Sequence, residues 1–216
     1  MPPVIHSAAT CPQGSDQWLR IRLGIPTASA FKRFITPSWN LSMNKAKDGL
    51  SEGAWTYLLE LVSERYSGEP LPGFGGSWAT DQGHLREPIA RKWFEATMDI
   101  DIEQVAFVTA DGGLCGCSPD GLLGENNGLE LKCPEAVNHA RYVLSGELPD
   151  EYKHQVHASM YVTGRSKWTF LSYRDGWPNL LLTVHRDEEI MAKMHEAVTM
   201  FCRLLDAAFN KLKSMP

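Results

Sequence analysis

Two acidic residues and a lysine occur at a spacing that could support metal-dependent chemistry. Residues 128–133 read GLELKC. Because side chains alternate across a strand, Glu130 and Lys132 would share one face and apolar residues the other. Asp120 lies ten residues before Glu130, where a predicted strand ends in a turn. The intervening length suits a hairpin, so the sequence predicts two converging carboxylates beside an ammonium group.

This group of residues fits the hydrolysis of a phosphodiester. A divalent ion held by carboxylates neutralises phosphate charge and supplies hydroxide near neutral pH. Oxygen ligands favour Mg²⁺ or Mn²⁺, and the Leu131 carbonyl is a natural additional ligand. Lys132 could orient the attacking water, stabilise developing charge, or act as a base if its pKa is lowered. A surface Glu-X-Lys charge pair without catalytic function is the alternative at this point.

The elements that must position these residues follow from hydrophobic periodicity. Predicted helices cover residues 15–22, 54–66, 137–144, 152–162 and 188–212, and predicted strands cover 103–109, 114–118, 128–133, 167–173 and 180–185. Thr27 is expected to cap a further short helix. Pro88 is expected near the start of another helix that runs to Thr97, which would place Glu87 in its first turn.

Connections between these elements complete the predicted organisation. The first three strands are expected to be adjacent and antiparallel. Residues 68–81 are rich in glycine and proline and are expected to form a mobile connection, with a lid or a substrate-contacting loop as one interpretation. The order of elements indicates an α/β protein in which helices cover a central mixed sheet, forming a single domain over residues 1–216.

Composition excludes several classes of protein. The chain has 216 residues, 43% hydrophobic and 22% charged, which is globular in character. We expect a cytoplasmic protein without membrane spans, because no apolar stretch of about 18 residues occurs and five unevenly spaced cysteines do not suggest a disulfide framework. A net charge of -5 argues against non-specific coating of nucleic acid. It does not exclude a nuclease, since residues 11–50 hold six basic and two acidic residues.

Beyond the acidic pair, several motifs resemble a known family. SPDGL at residues 118–122 followed by GLELKCP at 128–134 resembles the PD-(D/E)XK motif of phage-type alkaline exonucleases related to bacteriophage lambda exonuclease. Residues 15–18 and 22–29 resemble the amino-terminal signature of that family, residues 83–87 its helical acidic motif, and residues 152–156 its later glutamine motif. The motifs occur in the family order over about residues 15–175.

The resemblance implies a restriction-endonuclease-like core and a role for each matching residue. Asp120, Glu130 and the Leu131 carbonyl would bind Mg²⁺, for which Mn²⁺ would substitute. Glu87 would complete the acidic cluster and Lys132 would position the nucleophile. Gln155 would contact the same centre, so the catalytic set implied by the resemblance is Lys132, Glu130, Asp120, Glu87 and Gln155.

The resemblance also implies a site for the end of the DNA. Arg22, Ser29 and Ser118 would bind a terminal 5′-phosphate, for which an arginine fork and hydroxyl donors are suited. Trp18 would stack on or wedge apart the end base pairs, with a place in the core as the alternative. The chain departs from the family where Asn138 replaces an arginine, so the phosphate pocket would be weaker or would recruit His139 or Arg141 instead. Asn138 and His139 are expected to contact DNA.

The activity implied by the resemblance is a phage-derived, Mg²⁺-dependent exonuclease. It would degrade linear double-stranded DNA from 5′ to 3′, release mononucleotides and leave 3′ overhangs for recombination. The family further implies a homotrimeric ring and a single-strand annealing protein as partner. A structure-specific endonuclease and an inactive DNA-binding recombination scaffold are the alternatives. The full set of acids argues against the scaffold, because acids beside DNA phosphates have no physical purpose without a metal.

Overall fold

The computed structural model describes residues 2–44, 49–71 and 78–216, with the side chains of 78–85 and 111 left undescribed. The helices are α1 Asp16–Ile21, α2 Glu52–Ser67, α3 Trp78–Met98, α4 Ala136–Ser145, α5 Asp150–Thr163 and α6 Glu188–Lys213. The strands are β1 Val4–Ser7, β2 Met43–Asn44, β3 Gly49–Leu50, β4 Val105–Thr109, β5 Gly116–Cys117, β6 Gly121–Leu123, β7 Asn127–Lys132, β8 Lys167–Ser172 and β9 Leu180–His185. Along the chain, strands β4 to β7 follow one another between α3 and α4.

A mixed sheet in the order β6-β7-β8-β9 forms the centre, and only its β7-β8 pair is parallel. A second sheet has the order β1-β4-β5, and β2 pairs with β3 in a short hairpin. This confirms the predicted α/β class with a central mixed sheet. The predicted adjacency of the first three strands is wrong in part: β5 pairs with β4, whereas β7 takes β6 and β8 as neighbours. The short β6, which follows Asp120, pairs with the edge of β7 where the prediction had placed β5.

The two faces of β7 are covered by different helices. Leu129 and Leu131 pack in an apolar cluster with Ala90 and Phe94 of α3. On the opposite face, Trp168 of β8 packs in a larger cluster with residues of α5 and α6. The strand is therefore held between α3 and α5, and the even-numbered residues of β7 face α5 as the alternation predicts.

Helix α3 differs from its prediction. It begins at Trp78, so Pro88 lies in its interior and Glu87 near its middle instead of in the first turn. Proline normally starts a helix because it lacks an amide proton, but an interior proline is tolerated when packing on both sides offsets a cost of roughly 3 kcal/mol. The predicted connection over residues 68–81 is correspondingly shorter, and its residues 72–77 lie outside the described part of the chain.

The segment after α1 also differs from its prediction. Ser15 caps α1 as predicted, since its side chain accepts a hydrogen bond from the Trp18 amide. Residues Ala28–Arg33, however, form a 3-10 helix, and Thr27 gives it no side-chain cap. The Thr27 amide donates instead to the Tyr57 hydroxyl at 3.1 Å, and Thr27 forms a bridge with Gly116. Tertiary contacts therefore fix this turn. None of the helices in the described segments is long and apolar enough to cross a membrane.

Candidate active site

The β6-β7 hairpin brings Asp120 beside Glu130 and Leu131. Gly121 stands opposite Leu129, so Asp120 lies one residue beyond the last paired position. The Asp120 amide donates to the Leu129 carbonyl at 3.2 Å, and the Asp120 carboxylate accepts from the Leu131 amide at 2.6 Å. These bonds fix the carboxylate against the edge of β7.

Glu130 and Lys132 form an ion pair on the face of β7 that α5 covers. The Lys132 Nζ lies 2.5 Å from the Glu130 Oε1, which also accepts a hydrogen bond from the Gln155 Nε2 at 2.6 Å. The Glu130 side chain is 1% exposed and that of Lys132 is 25% exposed. Such burial distinguishes this pair from the surface Glu-X-Lys alternative. Tyr152 of α5 adds an aromatic ring 5.2 Å from the Lys132 Nζ.

The peptide carbonyl of Leu131 points toward Asp120. In a strand the N–H and C=O of one residue leave on the same side. Lys132 directs its carbonyl to β8, where it accepts from the Tyr173 amide at 2.8 Å, whereas the Leu131 amide bonds Asp120 on the opposite side. Because the hairpin pairing ends at Gly121, no strand residue faces the Leu131 carbonyl. Two carboxylates and one carbonyl oxygen therefore border the same space.

The acids of this site repel one another strongly. Burial, with added repulsion from Glu130 and Glu87, raises the pKa of Asp120 from 3.8 to about 8, although Lys132 and the Leu131 amide oppose the shift. Burial also raises the pKa of Glu130. Among the described side chains, no three of His, Cys, Asp or Glu converge closely enough to hold a metal. Glu87 acts on both acids electrostatically, and its predicted place in the acidic cluster stays a prediction.

Lys132 is held as an ammonium ion. Burial by itself lowers the pKa of Lys132, but the carboxylates of Glu130 and Asp120 together outweigh burial and raise the pKa above its ordinary value. A neutral lysine base would require a pKa near the working pH. Of the three roles considered for Lys132, this environment favours orientation and charge stabilisation.

The three residues predicted to bind a terminal phosphate meet in one small pocket. Arg22, Ser29 and Ser118 line a cavity of about 130 Å³. Its remaining lining residues are Trp18, Thr27, Ala28, Cys117, Gln155 and Ser159. Gln155 therefore belongs both to this pocket and to the acidic pair, through its bond to Glu130. The pocket is assembled from α1, the 3-10 helix, the end of β5 and α5.

Trp18 forms a wall between this pocket and a larger cleft. Its indole Nε1 donates to the Ala106 carbonyl at 3.1 Å and to the Ser118 hydroxyl at 3.0 Å, and the Arg22 guanidinium lies 4.2 Å from its ring centroid. The ring is half-buried. One edge of the ring is thus fixed by the protein while the ring also lines the cleft, and its contact with DNA stays a prediction.

The larger cleft, of about 550 Å³, runs past the acidic site and contains an arginine that the sequence reasoning missed. Arg91 of α3 lines it together with Trp18, Glu87 and Asp120. The Arg91 Nη2 donates to the Asp120 backbone carbonyl at 3.1 Å, and its Nη1 to Gln104 at 3.1 Å. The i,i+4 spacing of Glu87 and Arg91 on one helix is the sequence signal that could have identified it.

Helix α2 supplies a second residue that sequence reasoning missed, Glu64. Its buried carboxylate accepts hydrogen bonds from the amides of Gly24 at 2.9 Å and Leu71 at 3.4 Å. Gly24 requires a positive φ of 63° and follows Arg22 closely. Burial lowers the pKa of Arg22, while Tyr57 and then the charge of Glu64 oppose that shift. No local motif marks Glu64, because Gly24, the partner that links it to the Arg22 segment, lies 40 residues earlier in the chain.

The remaining predicted DNA-binding residues, Asn138 and His139, and the alternative Arg141 lie elsewhere. His139 is 0% exposed, and its ring nitrogens contact the Ser172 hydroxyl at 2.8 Å and the Pro178 carbonyl at 3.0 Å. The prediction that His139 contacts DNA is therefore wrong, since neither ring nitrogen is available. Asn138 and Arg141 are exposed on α4, and neither lines the Arg22 pocket. The structure thus brings together every predicted catalytic and phosphate-binding residue but not these three.

Comparison with known proteins agrees with this arrangement. Residues 17–166 match the model of the YqaJ-like viral recombinase domain. The fold is similar to that of an alkaline exonuclease, LHK-Exo, from Laribacter hongkongensis, with 27% identity, a TM-score of 0.79, and coverage of 92% of this chain and 96% of that chain. The same enzyme in complex with dAMP gives a TM-score of 0.80 at the same identity and coverage.

A more distant structure shares the fold alone. It is a phage-related exonuclease from Haemophilus somnus 129PT, with 13% identity, a TM-score of 0.62, and coverage of 87% of this chain and 96% of that chain. No match is found among curated proteins. The family match spans more than half of the residues. The chain therefore belongs to the family of YqaJ-like viral recombinase domains and has the fold of the phage-type alkaline exonucleases, as its motifs predicted.

Proposed function

We propose that this chain, a DNA exonuclease by family and fold, degrades one strand of linear double-stranded DNA from 5′ to 3′ with Mg²⁺. It would release mononucleotides and leave a 3′ overhang for recombination by strand annealing. One observation carries the proposal: Gln155 bonds Glu130 of the acidic pair and also lines the Arg22 pocket. A phosphate in that pocket would sit next to the site of hydrolysis, which suits an enzyme that acts at ends.

The donor set fits a hard divalent cation. Asp120, Glu130 and the Leu131 carbonyl would hold Mg²⁺ or Mn²⁺, because all three present oxygen. Burial raises the pKa of both acids although Lys132 opposes the shift, so a bound cation would favour their ionised forms. When bound, the metal would supply charge neutralisation at the phosphate and a hydroxide near neutral pH.

The protein's own residues would position the reacting groups. The Lys132 ammonium lies beside the carboxylates and would stabilise negative charge that develops on the phosphate oxygens. Gln155 would hold Glu130 in place through its amide. Glu87, which raises the pKa of both acids, would add negative charge that strengthens cation binding at the site.

Arg22, Ser29 and Ser118 would bind the terminal 5′-phosphate. A guanidinium offers two parallel donors that match phosphate oxygens, and hydroxyl groups complete the shell. Trp18 would contact the terminal base pair from the wall that it forms beside the pocket. A homotrimeric ring and an annealing partner remain proposals that rest on the family resemblance.

The test uses linear duplex DNA labelled separately at each end of each strand. We expect label to leave from 5′ ends first, faster with a 5′-phosphate, and EDTA to stop the reaction. Release from 3′ ends first would contradict the proposed direction. Cleavage of closed circular DNA would instead support the structure-specific endonuclease, and absence of digestion with Mg²⁺ and with Mn²⁺ would support the inactive scaffold.

A further inference from the structure

A cavity distinct from the Arg22 pocket and the larger cleft lies on the α3 side of β7. Its volume is about 340 Å³. It is lined by Arg86, Ile89, Tyr173, Arg174, Asp175 and Trp177. Arg86 is the neighbour of Glu87 on α3, and the Arg174 Nη1 donates to the Pro134 carbonyl at 3.4 Å. The cavity is therefore adjacent to the catalytic hairpin, beside the ends of the parallel strands β7 and β8.

Arg86 gives this cavity an unused donor. The Arg86 Nη1 is buried, and among the described residues it has no hydrogen-bond partner. Its nearest acid is Glu135, at 3.9 Å, which is beyond hydrogen-bond distance. A buried guanidinium nitrogen without a partner costs free energy, which an anionic ligand would recover. Asp175 provides one acceptor at the same cavity.

Trp177 gives the cavity an exposed aromatic surface on a rigid support. Its side chain is 44% exposed. The Arg174 guanidinium lies 5.5 Å from its ring centroid, and the buried His139 contacts it edge-on at 5.9 Å. His139 is itself fixed by Ser172 and Pro178. A tryptophan face beside arginines is the combination that binds nucleotides of single-stranded DNA by stacking and charge.

We propose that this cavity binds single-stranded DNA, with phosphate at Arg86 and Arg174 and a base stacked on Trp177. The inference rests on the proposed function, because it assumes that the chain separates DNA strands at an end. The cavity and the Arg22 pocket lie on opposite faces of β7, so one strand could enter each. Ile89, which also lines the cavity, is 53% exposed.

The test measures binding of fluorescent oligo(dT) of 12 nucleotides by anisotropy in EDTA, where cleavage does not interfere. Trp177→Ala should weaken binding roughly fivefold or more, and Trp177→Phe should restore most of it. Trp55→Ala, which removes a similarly exposed tryptophan from α2, is the matched control and should bind as the unchanged protein does. Melting curves identify any variant that fails to fold.

A second variant tests the charge. Arg174→Ala should reduce the slope of log affinity against log salt by about 0.7, the value for one phosphate contact on a single strand. Arg203→Ala on α6 is its control. Unchanged affinity in both Trp177→Ala and Arg174→Ala would overturn the inference. So would competition by free thymidine 5′-monophosphate at the affinity of the oligonucleotide, since the cavity would then be a mononucleotide site.

These outcomes are separable from the proposed function. The nuclease assay with labelled duplex is run on the same variants. The unchanged protein could lack nuclease activity and still bind the oligonucleotide, with that binding lost in Trp177→Ala. This result would contradict the proposed function but leave the cavity as a DNA site. If Trp177→Ala keeps both normal nuclease activity and normal oligonucleotide binding, only the proposed role of the cavity in binding single-stranded DNA is contradicted.

Discussion

The acidic site and the Arg22 pocket are neighbours, yet they are built in opposite ways. Asp120, Glu130 and Lys132 come from one hairpin and hold each other through bonds of 2.5 to 2.6 Å among themselves, Leu131 and Gln155. The pocket collects Arg22, Ser29 and Ser118 from segments that are distant in the chain. The acidic site is thus built from residues close together in the chain, and its carboxylates repel one another. The Arg22 pocket depends on tertiary contacts with residues outside it.

Because the two sites are built differently, we expect substitutions in them to have different effects. Within the hairpin, each group changes the charge state of the others, so a single substitution should affect the entire reaction. In the pocket, Trp18 and Glu64 position residues that bind substrate, so a single substitution should affect the preference for one kind of end. The following experiments separate these two behaviours.

The largest effect is expected from Asp120→Asn, which removes charge but keeps size. Cleavage should fall roughly 10³-fold or more, because metal binding supplies several kcal/mol of transition-state stabilisation and each 1.36 kcal/mol corresponds to about tenfold. The loss should appear equally on phosphorylated and unphosphorylated ends. Residual activity within tenfold of the unchanged protein would remove Asp120 from the proposed ligand set.

Arg22→Ala should have a smaller and more selective effect. The advantage of a 5′-phosphorylated end over a 5′-hydroxyl end should fall roughly 10- to 100-fold, since hydrogen bonds to a charged group contribute about 1.5–3 kcal/mol. Digestion of 5′-hydroxyl ends should change little, and Arg20→Ala on the exposed side of α1 serves as the matched control. An equal loss on both ends would mean that Arg22 acts in general binding.

The acidic site should make the stability of the metal-free protein depend on pH. The pKa of Asp120 is raised in the folded chain from 3.8 to about 8. Between these values the folded state binds more protons than the unfolded state, so stability should decrease as pH rises through this range. Melting temperature in EDTA should fall by roughly a few degrees from pH 6 to 9.

Two comparisons check that this pH effect belongs to the acidic site. Asp120→Asn should flatten the dependence of melting temperature on pH, because its side chain does not titrate. Mg²⁺ should raise the melting temperature most at alkaline pH, where the carboxylates are ionised and bind it best. The same slope in Asp120→Asn as in the unchanged chain would assign the effect to other groups.

Ser29→Ala is expected to have the smallest effect. Removing one neutral hydroxyl donor from the pocket should weaken the preference for phosphorylated ends by roughly 2- to 10-fold. The KM for phosphorylated ends should rise more than kcat falls, because the hydroxyl contacts a group that does not react. A larger loss than in Arg22→Ala would show that Ser29, and not the guanidinium, dominates recognition of the phosphate.

Most secondary structure and the acidic hairpin could be predicted, because both depend on residues close together in the chain. The alternation in residues 127–132 places Glu130 and Lys132 on one face without reference to the remainder of the fold. Helix α3 was predicted to start too late because Pro88 is a strong helix-start signal, whereas the helix begins at Trp78 and packs on β7 through Ala90 and Phe94. Strand pairing was partly wrong because the three-residue β6 is too short to detect by pattern.

The sequence by itself therefore determined the fold class, the hairpin and the identity of the acids, since local periodicity and spacing carry that information. Only the tertiary structure decided which residues share a pocket. It buried His139 away from the Arg22 pocket, placed Arg91 against the Asp120 carbonyl, and brought Arg86 and Trp177 to one cavity. The physical reason is that these contacts join residues far apart in the chain, and the packing of α3 and α5 on opposite faces of one strand sets their distances.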